Sequence, residues 1–209
     1  MSDKIEQIEA EKLSSVFGGD PVFEKPLPVG QMFFPGRERV REGFSKVFAN
    51  KYYNNNGPFH EELEEKLQRL LCVKHAICVL NATLGLMIAS DCVERKAKTL
   101  LPSFTFVATL QSQLWRDVPA ALTDVSLDDA SMIVTEKLIE EAKKGALLMP
   151  VNLWAGCCDI AAFDRVQVET GASVIYDSAP AFGVEYDGKM LGGRGTAEIF
   201  SFHATKVLN

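Results

Sequence analysis

Residues 99–124, TLLPSFTFVATLQSQLWRDVPAALTD, hold a complete strand–helix–strand unit, and their reading decides the fold. Thr99 to Leu101 is a short apolar run, Thr105 to Trp115 has helical periodicity, and Ala120 to Asp124 is a second apolar run. The pattern continues on both sides. Upstream, His75 to Leu80 reads as a strand and Thr83 to Val93 as a helix. Downstream follow a helix at Thr135 to Lys144, a strand at Ala146 to Val151, a helix at Ile160 to Glu169, and strands at Ser173 to Tyr176 and Ala197 to Phe202. Short, near-continuous apolar strands alternating with amphipathic helices predict an α/β fold, a three-layer sandwich with a mostly parallel sheet covered by helices on both faces.

Before this series, helices are predicted at Arg37 to Ala49 and at Phe59 to Leu71, the latter with Leu63, Leu67, Leu70 and Leu71 on one face. Residues 1–30 are punctuated by Gly18, Gly19, Pro21, Pro26, Pro28 and Gly30, and read as an N-terminal arm following a short polar helix. Residues 31–209 then form the main domain.

The chain has 209 residues, 47% hydrophobic and 24% charged, ordinary globular proportions and enough length to bury a sizeable core. Its 22 Lys+Arg against 28 Asp+Glu give a net charge of -6, which argues against nucleic-acid binding through phosphates. No apolar stretch approaches the ~18 residues of a membrane span, and the first residues carry no signal-peptide core, so a cytoplasmic protein is expected. The five cysteines form no C-x-x-C pair, and the three histidines add no regular ligand spacing; no metal is expected.

In a parallel sheet of this kind ligands sit at the carboxyl ends of the strands. Those ends offer Asn81-Ala82-Thr83, Pro102-Ser103-Phe104-Thr105-Phe106, Asn152-Leu153-Trp154, Asp177-Ser178-Ala179 and Ser201-Phe202-His203-Ala204-Thr205-Lys206. A carboxylate, a lysine, hydroxyls and aromatics therefore meet on one rim. Pyridoxal phosphate asks for such a set: a lysine amine, an acid for the pyridine nitrogen, and a helix N-terminus for the phosphate. No G-x-G-x-x-G follows a strand, and Gly192-Gly193-Arg194-Gly195 reads as a turn, which weighs against a nucleotide-binding Rossmann enzyme.

Five motifs, in order, are Asn-Asn-Gly-Pro at 55–58, Asn-Ala-Thr at 81–83, Pro-Ser-Phe-Thr-Phe-Val-Ala-Thr at 102–109, Asp-Ser-Ala-Pro-Ala-Phe-Gly at 177–183 and Phe-Ser-Phe-His-Ala-Thr-Lys at 200–206. Together they resemble the DegT/DnrJ/EryC1/StrS family of pyridoxal-phosphate-dependent sugar aminotransferases, from about residue 20 to the end. The resemblance implies the large domain of an aspartate-aminotransferase-like fold. It further implies that the family's next sheet strand and its small C-terminal domain lie beyond Asn209, so the large domain is expected to be incomplete and to leave His75 to Leu80 and Ala197 to Phe202 without a shared neighbour.

Carried over by position, Lys206 matches the lysine that holds the cofactor and Asp177 the acid that pairs with its ring nitrogen. Thr83, with the amides of Ala82, Thr83 and Leu84, matches the phosphate cradle; Ser201 matches a second phosphate contact and Phe106 the aromatic stacked on the ring. Each has a plainer reading too: a surface lysine, a turn or cap carboxylate, a helix N-cap, a strand hydroxyl and a core aromatic. Pro180 departs from the family, whose members commonly place Gln or His there. The implied reaction moves an amino group, with glutamate as expected donor, to a keto group on a nucleotide-diphosphate-linked deoxysugar, in a homodimer. The alternative is a non-catalytic remnant that binds cofactor or a partner only. A lysine at 206 argues against the family's dehydratase branch, which carries histidine.

Overall fold

A computed structural model of the chain describes residues 19–26, 35–93, 98–154 and 156–208. The chain divides into two units, residues 1–31 and 32–209. Of the first unit, residues 19–26 are a bent, mostly exposed stretch; the polar helix expected before them lies outside the described residues. The second unit contains α1 (Arg37–Asn50), α2 (Pro58–Leu71), α3 (Ala82–Cys92), β1 (Thr99–Pro102), α4 (Val107–Leu114), β2 (Ala120–Thr123), α5 (Glu136–Lys143), β3 (Leu147–Leu148), α6 (Ile160–Thr170), β4 (Ile175–Asp177), β5 (Glu185–Tyr186), β6 (Lys189–Met190) and β7 (Ala197–Ile199).

The unit at 99–124 folds as expected: β1 and β2 pair in parallel, Thr99 opposite Ala120 and Pro102 opposite Thr123, with α4 as the crossover. β3 lies parallel to β1 on its other side. Parallel bridges from Leu148 to Val174 and from Val151 to Asp177 lead on to β4, which pairs in parallel with β7. All the large-sheet strands thus point the same way, in the spatial order β2-β1-β3-β4-β7.

Successive residues on a strand face opposite sides, and here they enter different cores. Leu100, Leu148, Val174 and Tyr176 pack with Leu138 and Ala142 of α5 and Phe163 and Val166 of α6. Their chain neighbours Leu101, Leu147, Met149 and Ile175 pack on the other face with Leu86 of α3, and Leu110 of α4 borders that cluster. This is the three-layer sandwich, built by period-2 alternation in strands buried on both sides.

Side-chain caps fix where three of the helices begin. Asn81, Thr135 and Asp159 accept the N–H groups of Leu84, Leu138 and Ala162, satisfying donors a helix start otherwise leaves open.

Four segments differ from the sequence reading. Residues 75–80 form no ladder, because a strand needs a hydrogen-bonding neighbour and no described residue supplies one; Ile77 and Leu80 are exposed. β5 and β6, which the periodicity does not predict, form a hairpin across Asp187-Gly188, both at positive φ (52° and 68°) as a tight hairpin turn demands. The strand expected at 146–151 is a two-residue ladder followed by a bridge, since Pro150 has no N–H to donate, and β7 stops at Ile199. Among the described residues no helix is long and apolar enough to cross a membrane.

Candidate active site

β4 ends on Asp177, and the parallel sheet brings that end to the rim where α4 begins. The carboxylate is almost fully buried. Thr109, completely buried in the first turn of α4, donates its hydroxyl to Asp177 Oδ2 at 2.7 Å, and the Ala179 N–H reaches Oδ1 at 3.2 Å. Behind Thr109 the Thr105 hydroxyl lies 2.7 Å from Thr109 Oγ1. Burial pushes the Asp177 carboxyl above its ordinary range, while the Thr109 hydroxyl, the Ala179 N–H and the charge of Lys206 pull it down.

Lys206 follows β7 in a turn, half-buried, with its N–H bonded to the His203 carbonyl at 2.8 Å. Because β7 is the direct neighbour of β4, the turn brings the ammonium within electrostatic reach of Asp177. Ser201 is half-buried, and its Oγ accepts the His203 N–H at 3.3 Å, so it shapes the same turn.

α3 packs against β4 and β7. Gly85 permits the approach: a Cβ there would stand 3.3 Å from Ile199 and 3.4 Å from Val79. Of the first-turn donors, the Leu84 N–H is taken by Asn81 Oδ1 at 2.9 Å, which leaves those of Ala82 and Thr83 directed out of the helix start. Leu84 is therefore the weakest member of the expected cradle. Phe106 is 75% exposed at the start of α4, so the core-aromatic reading of it is wrong. Phe104, also exposed, packs edge-on against Trp154 with ring centroids 5.3 Å apart.

A buried polar network supports β4 from the side. Asn152 Nδ2 donates to Ser178 Oγ at 2.8 Å, and Ser178 donates to Glu198 Oε1 at 2.6 Å. Burial raises the Glu198 carboxyl, against the Ser178 hydroxyl and the Arg194 N–H and charge. Sequence reasoning overlooked Thr109 and Glu198. The signal for Thr109 was a hydroxyl four residues after Thr105 in an otherwise apolar stretch; Glu198 had none.

Away from the rim, His60, Glu64 and Cys78 bring ligand-type atoms within 4.8 Å of one another. Glu64 Oε1 is already occupied there, by His60 Nε2 at 2.8 Å and the Cys78 N–H at 2.7 Å, so the cluster is a latch between α2 and residues 75–80.

The fold is that of the large domain of the aminotransferases. Residues 36–209 match the DegT/DnrJ/EryC1/StrS aminotransferase family, and the chain belongs to it. It is 32% identical over 167 residues to a dTDP-4-amino-4,6-dideoxy-D-glucose transaminase of Escherichia coli, covering 79% of this chain and 44% of that one. The structure of DesI with its TDP-sugar product superposes with a TM-score of 0.79 at 31% identity, over 93% of this chain and 50% of DesI. Helicobacter pylori PseC, an aminotransferase of pseudoaminic acid biosynthesis, shares the fold with a TM-score of 0.78 at 24% identity, over 88% of this chain and 50% of PseC. The chain spans about half the length of these relatives.

Proposed function

We infer that the chain is the cofactor-binding part of an enzyme that moves an amino group, with glutamate as donor, to a keto carbon of a nucleotide-diphosphate-linked deoxysugar. The donor carbon becomes a keto carbon and the sugar carbon becomes an amine. The observation that carries this reading is Asp177, a buried, doubly hydrogen-bonded carboxylate at the sheet rim, with the Lys206 charge in reach.

The residues fit pyridoxal phosphate. Asp177 would keep a proton on the ring nitrogen, Lys206 would hold the cofactor covalently, and the free amides of Ala82 and Thr83, with Thr83 and Ser201, would take the phosphate, Leu84 joining if Asn81 yields. Phe106, exposed beside them, would cover the ring. Bound there, the cofactor supplies an electron sink for the pair left at the donor's α-carbon. Released when the donor amine takes its place, Lys206 Nζ would take up the proton at that carbon, and burial around Asp177 would exclude the water that weakens a charge there.

Residues 31–209 form this domain and 1–30 its arm, and a homodimer fits the aromatic side chains that α1 leaves exposed. The cysteines are free thiols, in keeping with a cytoplasmic setting.

The experiment is to add pyridoxal phosphate to the purified chain and record the visible absorption band, then to assay glutamate with a panel of nucleotide-linked keto sugars. A band that Lys206→Ala abolishes, with turnover, supports the reading. A Lys206-dependent band without turnover assigns the chain to cofactor binding alone. No band, or one unchanged in Lys206→Ala, overturns the reading.

A further inference from the structure

The cofactor reading uses the bond from Thr109 to Asp177 but gives no role to the hydroxyl behind it. Thr105 and Thr109 lie in line behind Asp177, with O···O separations of 2.7 Å at both links. An ionised carboxylate only accepts hydrogen bonds, and a hydroxyl has one proton to give. Thr109 must therefore donate to Asp177 Oδ2, which leaves its lone pairs as the acceptor for Thr105. We propose that Thr109, backed by Thr105, is a positioning residue for Asp177: the two hydroxyls form a one-way donor chain that holds the side chain as a carboxylate and turns Oδ1 toward the rim.

Three further observations bear on this. Thr109 is wholly buried, so no water can replace its hydroxyl without rearrangement. It stands in the first turn of an eight-residue helix, where the backbone dipoles favour negative charge. Oδ1 carries one backbone donor, from Ala179 at 3.2 Å, and keeps a lone pair for a cationic ring N–H. Donors aligned in series also polarise one another, so Thr105 strengthens the bond that Thr109 makes. The charged group facing Asp177 is Lys206, from the turn after β7; Glu198 on β7 is engaged by Ser178 and by the Arg194 N–H.

The proposal rests on the cofactor reading for its purpose, but its test does not need the cofactor. The carboxyl carbons of aspartate are labelled with 13C, and the pH titration of Asp177 is followed by NMR in the cofactor-free chain. Thr109→Val keeps the shape and removes the donor. Its Asp177 midpoint should rise by about one to two pH units, the size of a charge-assisted hydrogen bond. Thr109→Ser should restore it, and Thr105→Val should shift it in the same direction by less.

An unchanged midpoint in folded Thr109→Val, or failure of Thr109→Ser to restore it, overturns the proposal. Should Thr109→Val not fold, an unchanged midpoint in the half-buried Thr105→Val does the same. With pyridoxal phosphate added, the pH profile of the absorption band should move in Thr109→Val. A wild-type band whose profile the variant leaves untouched overturns the link to the cofactor. The absence of any wild-type band defeats the functional reading and leaves the relay to be judged by the titration.

Discussion

The Asp177 carboxyl sits where water cannot solvate its charged form, and three donors or charges only partly offset that burial. Its folded-state pKa lies above the unfolded value, so its contribution to stability is full below about pH 3.9 and is lost as pH rises through the folded value. Asp177→Asn removes that dependence. The cofactor-free variant should melt at a higher temperature than wild type at neutral pH, with the difference shrinking on acidification. Subtracting the two melting curves isolates Asp177, because Glu198 titrates in the same direction in both. The same variant, bound to pyridoxal phosphate, should lose turnover for want of an anion opposite the ring nitrogen. Both outcomes together would be a trade between stability and activity at one residue. A melting difference that does not vary with pH would place Asp177's charge in solvent.

Among the elements, the tightest steric demand falls at the turn into β7. Gly195 has φ +60°, and a Cβ there would lie 2.5 Å from the Val174 carbonyl and 3.1 Å from the Tyr176 ring. Gly195→Ala should therefore cost more than the roughly 1–2 kcal/mol of a left-handed residue alone, with chemical denaturation as the measure. Against the same Tyr176 ring, Phe163 is fully buried edge-on at 6.3 Å, and Phe163→Ala should cost about 3–5 kcal/mol.

Elements of this kind differ in how plainly the sequence announces them. The βαβ alternation was legible because buried parallel strands are continuous apolar runs, and Asp177 followed as a residue at a strand end, whereas Lys206 lies in a turn seven residues beyond the end of β7. The hairpin went unread because Glu185-Tyr186 and Lys189-Met190 show no alternation, although Asp187-Gly188 was a sufficient turn signal. Residues 75–80 looked like a strand because apolarity reports burial, whereas a ladder also needs a neighbour, which no local pattern can supply. Thr109 went unread because its partner lies 68 residues away.

Over the whole molecule, apolar surface is unevenly disposed. α1 buries none of its residues, and Phe44, Phe48 and Tyr53 form an exposed aromatic row with centroid spacings of 6.4 Å. An apolar surface of that kind invites association. Phe48→Glu should reduce self-association in sedimentation experiments without lowering the melting temperature of the monomer; equal association in wild type and variant would place the contact elsewhere. The latch between α2 and residues 75–80 leads to a different clock. Of the backbone amides in that segment, only that of Cys78 has an acceptor among the described residues, Glu64 Oε1. In deuterated water the flanking amides should exchange quickly while one proton lingers. Glu64→Ala should release that proton alone, so a single side chain on a neighbouring helix sets how long one point of an otherwise open stretch keeps its hydrogen.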